Sequence, residues 1–239
     1  MSNLEDCQTT SSPQVPSWHV MDGAALAKAN PYTFYKPSDR AIALLRPGNC
    51  VKLIFAFKCD EPGMPAAERM WVRIFHIEAE KFYGTLDNDP VFIKDLVVGA
   101  SVTFESCHII EVDVDDPVPD PTLPYQGRCL VTKVILEGTR RIGALARGEP
   151  AVDNRDSGWR IWAGDEPDEY LMALENFAYV SLGAVLRRDD SIVALLQTPV
   201  PCAFKRDPAT GLFTPVSASD AELRWCARIR PRQIYPRTR

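Results

Sequence analysis

Between Cys50 and Val112, apolar and polar residues alternate along the chain in four runs separated by Gly, Pro, Asn and Asp. The runs are VKLIFAFK, RMWVRIFHIEAE, KFYGTLDN and SVTFESCHIIEV. A period of two is typical of half-buried strands, and EAEKF joins two of the runs at short range. The pattern predicts a small antiparallel β domain with a hairpin from about Trp71 to Leu86.

A different pattern begins near residue 128. The runs CLVTKVIL, RRIGALAR and GWRIWAG predict strands, while SLGAVLRR and DSIVALLQ predict a short helix and a second helical turn. CAFKRD is expected to pair with LFTPV across the turn PATG. Strands with helices between them, in no regular βαβ rhythm, indicate an α+β fold. The predicted fold class is therefore α+β, with a small antiparallel β domain followed by a second α+β domain.

Composition divides the chain further. The Ser, Pro, Ala and Asn-rich start is expected to be loosely ordered, with at most a short helix over MDGAALAKAN, and Ser38 is the expected N-cap of a helix over DRAIALL. DVDDPVPDPTLPYQG, with four prolines and four aspartates, predicts a partly extended interdomain linker that buries almost nothing. The predicted segments are a lead-in (1–34), a β domain (35–112), a linker (113–127), a second domain (128–216) and a basic tail (217–239) with a candidate helix over DAELRWCARI.

The composition of the 239 residues, 46% hydrophobic and 25% charged, is that of an ordinary globular protein. No run approaches the roughly 20 apolar residues of a membrane span, and the first residues lack the basic and apolar regions of a secretory signal. We therefore expect a cytoplasmic protein. Its seven cysteines are scattered without a C-x-x-C pair, which favours reduced thiols over disulfides or a zinc site.

The net charge of −5 conceals an asymmetry, because the last sixteen residues carry six arginines and no acid. The rest of the chain is correspondingly more acidic, which discourages nucleic-acid binding and suits a basic partner. The arginines of the tail have no interleaved aromatic residues and no recognised motif, so no nucleic-acid partner is expected. A tail that folds back on the acidic body, or is simply solvated, explains them equally well.

Catalytic motifs are missing from the sequence. The histidines His19, His76 and His108 lie in the lead-in or in strand-like runs, and the sequence has no G-x-S-x-G, H-E-x-x-H, phosphate loop or EF-hand spacing. Neither a metal nor an organic cofactor is therefore expected. One enzymatic alternative stays open, namely a hydrolase that uses paired carboxylates between the two domains, or a hard metal held by GDEPDE or DVDDP.

The stretch SGWRIWAGDEPDEY carries the strongest candidate site. A strand-like aromatic run ends there at a glycine, and four carboxylates without a Lys or Arg among them follow; we call these four the acidic edge (Asp165, Glu166, Asp168, Glu169). Trp159 and Trp162 should lie on opposite faces of the strand, which buries one and leaves the other for a partner. The edge is either a solvated loop or a recognition surface for a cationic protein.

The first half of the chain resembles the bacterial domain of unknown function 2314. LRPGNCVKLIFAF, ERMWVRI and FYGTLDNDPVFIKDL carry that family's motifs in the right order. These are a Trp-Val pair, a Gly-x-Leu-x-Asn-x-Pro turn and a later glycine, at Trp71, Val72, Gly84, Leu86, Asn88, Pro90 and Gly99.

The second half is similar to the immunity protein 33 family, also called domain of unknown function 2185. Its Asp-Ser-Gly-Trp, Gly-Asp-Glu, Glu-Tyr and Asn-Phe signatures occur at Asp156, Ser157, Gly158, Trp159, Gly164, Asp165, Glu166, Glu169, Tyr170, Asn176 and Phe177. The chain departs from the family after Tyr170, where Leu171 replaces a further acid. The resemblance implies a bacterial, non-enzymatic protein of a polymorphic toxin system.

The combined prediction is an immunity protein that neutralises a cognate toxin through its acidic face. The residues predicted to contact the partner are the acidic edge together with Trp162 and Tyr170. A scaffold without a toxin partner is a further alternative.

Overall fold

The structure is a computed structural model that describes residues 16–59, 63–150 and 155–217. The chain forms two compact units, each with its own core. The first takes the chain through Ala29 and from Lys36 to Pro119, and the second takes Asn30–Tyr35 and the chain from Asp120 onward. Each unit contains a six-stranded sheet and short helices, so the predicted α+β class is confirmed.

The sheet of the first unit is antiparallel throughout. Its strands are β1 (Trp18–Val20), β2 (Cys50–Phe57), β3 (Ala67–Glu78), β4 (Lys81–Leu86), β5 (Ser101–Glu105) and β6 (Glu111–Val112). The strand order is β1-β2-β3-β4-β5, with β6 also paired to β2. Two helices, α1 (Gly23–Ala29) and α2 (Asp39–Leu44), and a 3-10 turn at Ser106–His108 accompany the sheet.

Two local predictions for this unit are confirmed. The strands β3 and β4 form a hairpin in which Glu78 pairs with Lys81, and the turn between them is closed by Ala79 at φ 52°. Ser38 caps α2, because its hydroxyl accepts a hydrogen bond from the Ala41 N–H at 3.1 Å. Both features follow from signals that lie within a few residues of one another.

One face of the first sheet forms the core of its unit. Val51, Leu53 and Phe55 alternate along β2 with more exposed positions, except at buried Ile54, and α2 adds Ile42 to the same cluster. A Cβ at Gly84 would collide with Val72, and the Asn88 side chain accepts the Trp71 N–H at 2.5 Å. These motif residues therefore stabilise the packing of β3 on β4, while Pro90 lies in the loop that leads to β5.

The structure corrects the predicted lead-in. β1 pairs with β2 through the register Trp18 to Phe57 and α1 follows, so this part of the predicted lead-in belongs to the first unit, whereas Asn30–Tyr35 belong to the second. Residues 1–15 lie outside the described ranges. The run SVTFESCHIIEV is also not one strand, because the 3-10 turn separates β5 from β6.

The predicted linker, 113–127, is largely exposed, with Thr122 as its one buried residue, and it contains hydrogen-bonded turns. The division between the two units falls between Pro119 and Asp120, inside residues 113–127. On the first side, Asp116 accepts hydrogen bonds from the Ser38 N–H and hydroxyl at 2.8 and 2.6 Å. On the second side, Thr122 is 5% exposed and a 3-10 turn spans Leu123–Tyr125. The aspartates thus satisfy backbone and hydroxyl donors of their own unit.

The second sheet mixes parallel and antiparallel pairing. Its strands are β7 (Arg128–Thr132), β8 (Ala144–Arg147), β9 (Asp156–Trp162), β10 (Phe177–Ser181), β11 (Cys202–Arg206) and β12 (Phe213–Pro215), in the order β10-β7-β9-β8-β11-β12. β7 and β9 run parallel, and the other pairs are antiparallel. The helices of this unit are α3 (Lys133–Leu136), α4 (Asp168–Met172) and α5 (Leu182–Leu186), with 3-10 turns at Leu174–Asn176 and Val193–Leu195.

Both faces of β9 are buried in this unit. Trp159 and Ile161 pack on one face with Val185 of α5, and Trp162 packs on the other with Leu171 of α4. A central strand covered on both sides explains why the run GWRIWAG is almost entirely buried rather than half-buried.

Other predictions for the second unit have mixed outcomes. The β11–β12 hairpin across PATG and the short helix at SLGAVLRR are confirmed. CLVTKVIL is a strand only as far as Thr132, because its last residues form α3. The candidate helix over DAELRWCARI lies outside the described residues. The described residues include no helix that could span a lipid bilayer.

Candidate functional site

The candidate site is the segment that leaves β9 and enters α4. Gly164 makes the exit with φ +84°, a conformation that residues with a side chain rarely adopt. It lies against Gly143, which precedes β8, and a Cβ at Gly143 would collide with the carbonyl of Ala163. The two glycines therefore allow the backbones at the ends of β9 and β8 to approach closely.

Glu166 stabilises this segment by accepting three hydrogen bonds. Its carboxylate accepts the backbone N–H groups of Ala163 and Gly164, both at 2.7 Å, and the Thr132 hydroxyl at 2.8 Å. The side chain therefore joins the end of β7 to the end of β9. Within the acidic edge, Glu166 is thus a structural residue and is committed to internal donors.

Asp165 is exposed but engaged in an ion pair. Its carboxylate accepts a hydrogen bond from the Arg140 guanidinium, and both side chains are 57% exposed. Exposed pairs of this kind contribute about 0 to 1 kcal/mol to stability, so the pair can exchange for other partners at small cost. Arg140 is a residue of the site that sequence reasoning missed.

Asp168 and Glu169, like Asp165, face solvent. They occupy the first turn of α4 and both are exposed. Met172, at the end of the same helix, is 70% exposed. α4 therefore presents two acids and one large apolar side chain on its accessible side.

Tyr170 connects α4 to α3. Burial raises the pKa of its phenol, and the charges of Glu137 and Glu166 raise the pKa further, whereas a hydrogen bond with the backbone of Val134 lowers it. The hydroxyl is thus held at α3, and Glu137 at the C-terminal end of α3 is exposed beside it. Glu137 is thus an exposed acid whose charge acts on Tyr170 of α4, and it is a second residue that sequence reasoning missed.

The structure contradicts the prediction that Trp162 contacts a partner. Trp162 is 2% exposed and packs with Leu171 and Phe177, while Trp159 is 0% exposed on the opposite face of β9. The alternation of the two rings is as predicted, but α4 and β10 cover the face on which one ring was expected to be available.

The Asp-Ser-Gly-Trp motif is structural as well. Gly158 has φ +80°, and a Cβ there would collide with the carbonyl of Gly148. Asp156 accepts the Gly158 N–H at 3.2 Å and pairs with Arg160, and the Ser157 hydroxyl donates to the Arg128 carbonyl at 2.7 Å. The motif thus shapes an irregular start to β9 beside β7, where the pairing register shifts.

The described residues contain no group of three or more His, Cys, Asp or Glu side chains arranged to hold a metal ion. Two of the histidines have ordinary local contacts. His108 Nδ1 accepts the Glu105 N–H at 2.9 Å, and the His76 ring lies 5.6 Å from the ring of Tyr83. Among the described residues, no hydrogen bond joins a carboxylate of the acidic edge to a histidine.

The second unit is thus a compact α+β unit. The loop after its central strand β9 leads into α4, whose first turn carries the exposed acids Asp168 and Glu169. Residues 129–217, which include all of this segment, match the family model of the immunity protein Imm33 domain. The predicted resemblance of the second half is therefore confirmed, and an immunity role in general is supported. Searches among curated proteins and among solved structures found no match. The resemblance of the first half to domain 2314 is not confirmed and stays a prediction.

Proposed function

We propose that this chain is the immunity protein of a bacterial polymorphic toxin system, and that it neutralises its cognate toxin by binding rather than by catalysis. The observation that carries the proposal is the Imm33 match over the unit that presents α4. A non-catalytic role agrees with the family and with an acidic edge whose groups serve as internal hydrogen-bond acceptors or face solvent.

The proposed contact surface is the negative surface formed by Glu137, Asp168 and Glu169, with Met172 beside them. The acids are exposed, and the hydrogen bonds of Glu166 fix the segment that leads into α4. Charges on a rigid surface steer an oppositely charged partner and fix its orientation. Met172 offers the adaptable apolar contact that protein interfaces favour near their centre. A toxin surface rich in Lys or Arg fits this arrangement.

The test is neutralisation of the toxin domain encoded by the gene adjacent to that of this chain. Asp168→Lys with Glu169→Lys should raise the Kd, measured by titration calorimetry, by about 100-fold, because like charges across an interface cost several kcal/mol. Cells that express the toxin should lose protection in step with the affinity. The melting temperature should fall only slightly, because both acids are exposed, although lysines in the first turn of α4 interact unfavourably with the helix dipole.

A matched control reverses the same number of charges in the first unit. Glu78→Lys with Glu80→Lys changes two exposed acids at the β3–β4 hairpin and should leave affinity within about threefold of the parent. A parent chain that neither binds nor neutralises the toxin domain would refute the proposed function. A parent chain that binds but tolerates the α4 reversal would place the interface elsewhere.

A further inference from the structure

A second charged feature lies in the same unit as α4. A cleft of about 390 Å³ opens where the segment before β8, the segment after β9 and the end of β11 meet. Its charged lining consists of four cations and one carboxylate, namely Arg140, Arg141, Lys205, Arg206 and Asp165. Two of these cations are paired with carboxylates, Arg140 with Asp165 and Arg206 with Asp189, so the positive charge of the cleft comes mainly from Arg141 and Lys205.

Uncharged residues next to β8 and β9 also line the cleft. They are Ile142, Gly143, Ala163 and Gly164. The close approach at Gly143 and the positive φ of Gly164 exclude larger residues there. The same two glycines that shape the exit from β9 therefore also keep the cleft open between its cationic walls.

The guanidinium of Arg206 is held beside the cleft by hydrogen bonds. Its Nε donates to the Ile142 carbonyl at 2.6 Å, and its Nη2 donates to Asp189 at 3.0 Å and to the Ser191 hydroxyl at 2.5 Å. Asp189 also accepts the Ile142 N–H at 3.1 Å, which joins the start of the cleft to the turn after α5. These bonds fix the Arg206 guanidinium beside the cleft.

The remaining cations are on the accessible side. Arg140, Arg141 and Lys205 are exposed, and Arg140 shares Asp165 in the surface ion pair. Within the described ranges, the Arg141 guanidinium makes no ion pair and no hydrogen bond. An incoming carboxylate would therefore meet a cation that gives up no existing bond.

We propose that this cleft is a second recognition site, which takes an Asp or Glu side chain of the toxin between Arg141 and Lys205. The inference rests on the proposed function and extends it, because the toxin surface must then carry an acid beside its basic patch. Arginine binds a carboxylate through two parallel hydrogen bonds, which fixes direction as well as charge. Alternating charges along an interface select one docking orientation and reject partners with the wrong pattern.

A single carboxylate fits this site better than a nucleic acid. Asp165 lines the cleft, and the acids of α4 follow three residues later in the chain. A polyanion that placed one phosphate in the cleft would bring its other phosphates near these acids, where like charges repel. A protein side chain brings one negative charge alone, and the flanking surface of the toxin can be basic.

The test compares charge reversal in the cleft with reversal of two exposed cations in the first unit. Arg141→Glu with Lys205→Glu is titrated calorimetrically against the toxin domain of the adjacent gene, beside the control Arg40→Glu with Lys81→Glu. The cleft variant should raise the Kd at least 30-fold, and the control should change it less than threefold. Both should melt within about 2 °C of the parent. If the cleft variant melts at a lower temperature, Arg141→Ala with Lys205→Ala is used in its place. This variant should raise the Kd at least fivefold.

A set of toxin variants identifies the partner group. Each Asp and Glu of the toxin surface is changed to Ala, and the variant that no longer discriminates between parent and cleft variant identifies the inserted side chain. Wild-type affinity in the cleft variant, while the α4 reversal still weakens binding, would overturn the cleft site and leave the proposed function intact. A parent chain that does not bind the toxin would refute both the cleft site and the proposed function. Tight binding of a labelled single-stranded RNA or DNA that the cleft variant abolishes would also overturn the inference.

Discussion

Asp156 and Arg160 form a buried, bidentate ion pair on β9. The Arg160 Nη1 and Nη2 atoms donate to the two carboxylate oxygens at 3.1 and 3.0 Å, and the side chains are 4% and 0% exposed for Arg160 and Asp156, respectively. In a regular strand, residues four apart are separated by about 13 Å. The positive φ of Gly158 between them departs from that regular geometry, so the family motif creates the pair.

Asp156→Ala should lower the free energy of unfolding by about 3 to 5 kcal/mol, because it leaves the Arg160 charge buried without its carboxylate. Urea denaturation measures the change. Asp165→Ala is the control in the same unit; it breaks an exposed pair and should cost about 0 to 1 kcal/mol. The double change Asp156→Leu with Arg160→Met should recover only part of the loss, because an apolar pair needs no charge compensation but the Gly158 N–H loses its Asp156 acceptor. Equal costs for the two alanine variants would contradict this account.

Gly158→Ala should destabilise the protein far more than Gly138→Ala. Both glycines have positive φ, 80° and 77°, so both substitutions carry a backbone cost of about 1 to 2 kcal/mol. At Gly138 nothing lies within 4 Å of the added Cβ, whereas at Gly158 it collides with the Gly148 carbonyl. We expect an additional loss of at least about 2 kcal/mol at Gly158 by thermal denaturation. A difference below about 0.5 kcal/mol would show that the strand relaxes freely.

The features that were predictable from the sequence are those with local signals. The β3–β4 hairpin, the β11–β12 hairpin and the Ser38 cap each combine a periodic pattern with turn or cap residues a few positions away. β1 was missed because three residues cannot establish a period, and its pairing partner lies some forty positions further along the chain. The sequence of neither strand alone indicates that β7 and β9 pair in parallel.

The candidate site was predictable as a location but not in its internal roles. The run of acids marks the segment, yet the structure assigns Glu166 to Thr132, 34 residues away, and Asp165 to Arg140, 25 residues away. Trp162 was expected to be accessible because alternation gives the face of a strand, not what covers that face. Leu171 and Phe177 cover it, and their contact with Trp162 is tertiary.

The Asp189 carboxylate should make stability depend on acid pH. Burial alone would raise its pKa, but hydrogen bonds from Ser191 and Ile142 and the charge of Arg206 lower it below the ordinary value. A group with a depressed pKa in the folded state contributes stability above its unfolded pKa, near 3.9, and loses it as the pH falls through the folded pKa. Asp189→Asn should therefore cost about 1 to 3 kcal/mol at pH 7 and progressively less below about pH 4. Urea melts from pH 7 to pH 2.5 measure the difference; a gap between parent and variant that stays constant would refute the assignment.

The last prediction separates structure from recognition within the acidic edge. Glu166→Ala removes the acceptor of two backbone N–H groups and of the buried Thr132 hydroxyl, so it should cost about 2 kcal/mol of stability. Glu169→Ala removes an exposed charge and should change stability by less than about 0.5 kcal/mol. Thermal melts of the two variants, in which the same side chain is truncated in the same way, provide a matched comparison.

Toxin affinity should reverse that order. At a temperature where both variants are folded, Glu169→Ala should weaken binding about tenfold, because it removes one contact charge, while Glu166→Ala should bind within about threefold of the parent. Glu166→Gln keeps one carbonyl oxygen as an acceptor and should melt between the parent and the alanine variant. If Glu166→Ala lost affinity without losing stability, this carboxylate would contact the toxin directly, and its three internal hydrogen bonds would not be its main role.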